Sequence, residues 1–144
     1  MWADTLLVAE RAYLFRVAFW AMGSVLAGTG MFMLPAVRSG SAALLRQFAL
    51  QAIGWGVVEL VAVWGATMSL TLRDLGGARQ LERAVWLWCG LEGGVISAGV
   101  AIAVTAWLVS RRVAAVGAGI GIATQGAALL LLGLAFALTL TRLV

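Results

Sequence analysis

Residues 47–72 read QFALQAIGWGVVELVAVWGATMSLTL, an apolar run fenced by Arg46 and Arg73 with one ionisable side chain, Glu59, near its middle. A stretch of roughly 20 apolar residues is what an α-helix needs to cross bilayer hydrocarbon. In lipid every backbone N–H and C=O must find its partner within the protein, and a helix satisfies them locally. The run therefore reads as a transmembrane helix. Glu59 adds a second inference. A carboxylate in hydrocarbon is costly unless paired, neutralised or wetted, so it marks a face turned towards protein and points to function.

Three more runs of the same kind surround it. Residues 13–34 stop at Pro35, residues 84–110 lie between Arg83 and Arg111, and residues 113–141 precede Arg142. At a rise of about 1.5 Å per residue, each clears a hydrocarbon core of about 30 Å. The connections are short. Pro35 and Gly40 with Ser39 between them predict a turn, Gly76-Gly77 predicts a turn inside the polar stretch between Arg73 and Arg83, and Arg111-Arg112 predicts a tight hairpin. The expected fold is all-α: one integral membrane domain, a four-helix transmembrane bundle running antiparallel, up-down-up-down, with short loops.

Composition agrees. Hydrophobic residues make up 63% of the chain and charged residues 11%, against roughly 45–50% and 25% in a soluble domain. The net charge of +4 rests on ten arginines, with no lysine. A basic balance can signal nucleic acid, but these arginines stand at the ends of apolar runs, where they anchor helices at anionic headgroups. Membrane lipids, not nucleic acid, are the expected partners. The arginine-rich, lysine-free composition suggests a GC-rich bacterial or archaeal genome, and the localisation expected is a bacterial inner membrane. With four spans both termini share a side. Arg11, Arg16, Arg73, Arg79, Arg83 and Arg142 fall there, against Arg38, Arg46, Arg111 and Arg112 opposite. The positive-inside rule then favours cytoplasmic termini. Asp4, Glu10, Arg11 and Arg16 interrupt what would be the apolar core of a signal peptide, so the first helix reads as retained.

Much chemistry is excluded by what is missing. There is one cysteine, Cys89, and no histidine. Haem and zinc are therefore not expected, and no intrachain disulfide can form. No phosphate loop, HExxH motif or Ser–His arrangement occurs, and no soluble segment is large enough to house an active site, so an enzyme is not expected. A bound lipid is the expected companion molecule.

Three polar side chains at similar depth can meet within the bundle: Glu59, Glu92 and Gln125. Glu92 stands about five residues from the centre of the third span. Gly56 and Gly121 lie one turn from Glu59 and Gln125 and leave room beside them, and Trp55 lies one turn before Glu59 as a wall of the same space. A neutral carboxyl there could donate to the Gln125 carbonyl. Arg16, at the end of the first span, is the charged partner expected for Glu92, its stem reaching along the helix. Two readings stay open: a structural Arg–Glu pair with a Glu–Gln hydrogen bond, or a site for a proton, cation, lipid or hydrophobic cofactor.

Small residues set the packing. Gly90 and Gly94, and Gly117 and Gly121, form GxxxG pairs that let helix backbones approach, either within the bundle or between subunits. Trp2, Trp86, Trp88 and Trp107 read as interfacial belt residues; Trp20, Trp55 and Trp64 lie deeper, with Trp64 facing lipid. Glu10-Arg11-Ala12 and Glu82-Arg83-Ala84 each precede a span, which hints at two related hairpins.

The segments Gly54-Trp55-Gly56-Val57-Val58-Glu59, Gly90-Leu91-Glu92-Gly93-Gly94, and Gly119-Ile120-Gly121 with Gln125-Gly126 resemble a family of small four-helix bacterial membrane proteins of unknown function. The resemblance covers about residues 54–140. Those relatives tend to carry Asn where this chain has Glu59 and Asp where it has Glu92. The resemblance implies no activity, but it directs attention to Glu59, Glu92 and Gln125. The expected role is a non-enzymatic accessory or assembly subunit of a homo-oligomer or larger membrane complex; the alternative is a small binding or transport protein with an intramembrane carboxylate site.

Overall fold

The computed structural model describes residues 2–39 and 42–143. Five α-helices run through them: α1 (Trp2–Phe32), α2 (Pro35–Arg38), α3 (Ala43–Met68), α4 (Leu75–Thr105) and α5 (Val113–Leu143), with a π-helical turn at Ala106–Ser110 continuing α4. No strand occurs among the described residues. The four long helices are each long and apolar enough to cross a membrane.

Their ends differ from the arginine fences. α1 begins near residue 2, not at Tyr13, because Glu10 is buried within it and bound to Arg73. Pro35 does not merely stop a helix. It opens the single turn α2 from the first helical position, where its missing N–H costs nothing; Gly40, the other end of the expected turn, lies outside the described residues. α3 starts and stops about one turn earlier than expected, and at its end the Ser69 hydroxyl donates to the Ala66 carbonyl at 2.9 Å. α4 begins at Leu75. The Asp74 carboxylate accepts from the Gly77 N–H at 2.7 Å and caps the helix, so Gly76 and Gly77 sit in a first helical turn, not in a loop. Helix through Ser110 then puts Glu92 at mid-length, not five residues off centre. The hairpin at Arg111-Arg112 forms as expected, with Arg111 left-handed at φ 48°.

Packing follows from close backbone approach. A Cβ on Gly28 would meet the Ala49 carbonyl and Ile53, and one on Gly56 would meet the Ala21 carbonyl and Val25, so α1 and α3 are antiparallel neighbours. α4 and α5 pair the same way: Gly99 abuts Gly119 and Ala123, and Gly126 abuts Ile96. α5 also lies along α3, where Gly117 meets the Leu44 backbone and Gly121 meets Gln51. α5 is thus central, touching α1, α3 and α4, while α4 is held almost wholly through α5. A buried cluster of Leu6, Ala78, Val85, Cys89, Phe136, Ala137 and Leu140 locks the starts of α1 and α4 to the end of α5. Between α4 and the α1–α3 pair, the bundle stays open.

Candidate functional site

That opening is a cavity of about 470 Å³, walled by all four long helices. α1 contributes Glu10, Tyr13 and Val17; α3 contributes Trp55 and Glu59; α4 contributes Trp88, Cys89 and Glu92; α5 forms the floor with Leu129, Gly133 and Phe136. Steps of three and four residues, as in Glu10–Tyr13–Val17, Trp55–Glu59, Trp88–Glu92 and Leu129–Gly133–Phe136, put each set on one side of its helix. Tyr13 stacks on Phe136 with ring centroids 4.5 Å apart, closing the wall between α1 and α5.

Glu59 is the inner acid. It is 5% exposed, and both carboxylate oxygens are buried without a hydrogen-bond partner. Glu92 is half-buried and lines the same cavity. Glu10, at the end of the cavity nearer the termini, is a different case. Arg73 donates to its two oxygens, from Nη2 at 2.8 Å and from Nε at 3.2 Å. This bond holds the Arg73 guanidinium above its ordinary range. The segment between α3 and α4 that carries Arg73 thereby straps that end of the cavity.

The sides differ from the ends. Trp88 is 61% exposed and Val58 58% exposed, yet both line the cavity, as does the exposed Ala62. They form a rim between α3 and α4, which do not pack directly against one another along their length. The cavity opens sideways, through a surface that in a bilayer would meet lipid.

Among the residues singled out in the sequence, Glu59, Glu92 and Trp55 converge on this cavity. Gln125 and Arg16 do not. Gln125 accepts the indole N–H of Trp20 at 2.7 Å and makes no bond to Glu59. Arg16 is exposed, outside the cavity, and the ion pair found among the described residues joins Arg73 to Glu10, not Arg16 to Glu92. Gly56 and Gly121 leave no void beside Glu59 and Gln125, since α1 packs against Gly56 and α3 against Gly121. The two GxxxG pairs also part company. Gly117 and Gly121 pack on α3, whereas Gly90 and Gly94 have nothing within reach of a Cβ and lie exposed on the outer side of α4. Trp64, 67% exposed, faces outward.

Sequence reasoning missed Glu10, Arg73 and Trp88. Glu10 precedes Tyr13 and Val17 by three and seven residues, so it shares their face. Trp88 precedes Glu92 by four, as Trp55 precedes Glu59. The repeated WxxxE spacing on two helices was the available signal.

Four membrane-length apolar helices around an acidic, laterally open cavity define a small multi-pass helical membrane protein. Within that class the chain belongs to a family of unknown function (DUF6992), whose model matches residues 16–134. The match begins well before Gly54, where the resemblance becomes legible in the sequence. No curated protein and no solved structure matches the chain.

Proposed function

We propose that this is a small, non-enzymatic membrane binding or transport protein whose ligand occupies the lateral cavity against Glu59 and Glu92. One observation carries the reading: Glu59 is buried with neither carboxylate oxygen bonded. A buried polar group that serves the fold has a partner, and one without a partner weakens it. Glu59 is therefore best accounted for by something it meets that is not part of this chain. The proposal extends to a bacterial inner membrane with cytoplasmic termini, supported by the uneven distribution of arginines between the two helix-end groups.

A second reading, an assembly subunit, is favoured by the exposed Gly90 and Gly94, which offer a close-approach surface to another transmembrane helix. Native mass spectrometry of protein extracted gently from its own membrane separates the two. A retained small mass, absent from Glu59→Gln, supports the binding reading. A stoichiometric protein partner released by Gly94→Leu supports assembly. A bare monomer in both cases counts against stable association of either kind.

A further inference from the structure

The cavity holds acid without base. The chain has no lysine or histidine, and the arginine that reaches the cavity's end, Arg73, is committed to Glu10. Glu59 and Glu92 therefore line one largely apolar enclosure that has no cationic side chain in its lining. Two carboxylates so placed repel unless a proton or a cation joins them.

The shape of the space selects among cations. About 470 Å³ is within the roughly 300–1,000 Å³ range of small-molecule sites and far exceeds what one metal ion fills. Among the described residues, no three acidic or cysteine side chains stand close enough to ligate a metal. The lining includes Trp55, Trp88 and Tyr13 among aliphatic side chains, and aromatic rings of this kind attract organic cations. The opening between α3 and α4, rimmed by Val58, Ala62 and Trp88, admits molecules from the side, so a ligand using it must partition into lipid.

We propose that the cavity binds a lipophilic organic cation, an ammonium or phosphonium with ring or chain substituents, with Glu59 and Glu92 as its counter-charges and Trp55 and Trp88 as its walls. This assignment rests on the binding reading above and names the ligand class it lacks. Glu92, the more exposed acid, meets the cation first, and Glu59 holds it at the inner wall.

The test is titration of the full chain in lipid nanodiscs with tetraphenylphosphonium and, in parallel, with neutral triphenylphosphine oxide, read by equilibrium binding and by tryptophan fluorescence. The cation is expected to bind saturably, about tenfold or more tighter than the neutral probe, and Glu92→Gln and Glu59→Gln are each expected to weaken it by about tenfold or more. Trp64→Leu, on the outer surface, is expected to leave binding unchanged. If Glu59→Gln fails to fold, Glu92→Gln carries the comparison. Equal binding of both probes, or cation binding that survives both glutamine variants, overturns the cation assignment and leaves an apolar binding site. Binding of neither probe overturns the assignment and counts against the binding reading itself.

Discussion

Arg73 grips both oxygens of Glu10 across 63 residues of chain, at 2.8 and 3.2 Å, and so ties the α3–α4 connection to the first helix. Glu10 is a buried residue and Arg73 is mostly so. Removing one partner strands the other, which is the expensive way to break such a pair. Arg73→Ala is expected to cost about 1–3 kcal/mol, seen as an apparent melting temperature lower by several degrees in detergent. Glu10→Gln with Arg73→Gln should cost less than the sum of the single changes, and strict additivity would sink the coupling. The pair raises the Arg73 guanidinium above its ordinary range. Its contribution is then complete below that range and is lost only as pH climbs past it, so titration from neutral to mildly alkaline pH should leave the arginine's share untouched.

Two glycines of the same motif should respond oppositely to one methyl group. A Cβ at Gly117 would strike the Leu44 backbone, which cannot swing aside as a side chain can. Gly117→Ala is expected to destabilise by about 1–3 kcal/mol through overpacking. Gly94 has open space around it, so Gly94→Ala should be neutral or raise stability by up to about 1 kcal/mol through helix propensity. Thermal unfolding of the two variants side by side decides it; equal losses would mean that the outer face of α4 is covered by another chain.

How much of this was legible beforehand depends on distance along the chain. The run at 47–72 announces a membrane helix by itself, because length and apolarity are local properties. The start of α1 was not legible, since burying Glu10 depends on an arginine 63 residues away. Glu59, Trp55 and Glu92 could be picked out because their helices offer few polar groups to choose from. Arg16 failed for angular reasons: it precedes Val17 by one residue, about 100° around the helix, and so leaves the cavity face. Gln125 failed by depth. It continues the stripe of Leu129, Gly133 and Phe136, but one turn beyond the cavity's inner end, where Trp20 meets it.

The Trp20–Gln125 bond should be separable from ligand binding. It joins α1 to α5 at 2.7 Å and neither residue lines the cavity. Trp20→Phe removes the donor and leaves the amide of Gln125, which is buried, short of a partner. The expected loss is about 1–3 kcal/mol of stability, with cation affinity unchanged once the protein is folded. Trp20→Phe combined with Gln125→Met should recover much of the loss, because both polar groups are then gone. A large fall in affinity in the folded double variant would extend the site to this level of the bundle.

Glu59 offers the sharpest separation of fold from function. Its carboxyl is buried without a hydrogen bond, so in the empty protein it is a burden on stability, not a support. Replacing a buried ion pair by apolar residues of similar size is often neutral or stabilising, by about 1–4 kcal/mol, and Glu59 has no bonded partner within the chain to leave stranded. Glu59→Met is therefore expected to melt at the same temperature as the parent or higher, while losing cation binding. The same measurement with saturating tetraphenylphosphonium should stabilise the parent and leave Glu59→Met unmoved, since only a protein that binds the ligand gains from mass action. A Glu59→Met variant that unfolds early with or without the cation would mean that the carboxyl holds the helices together, and that its role is structural.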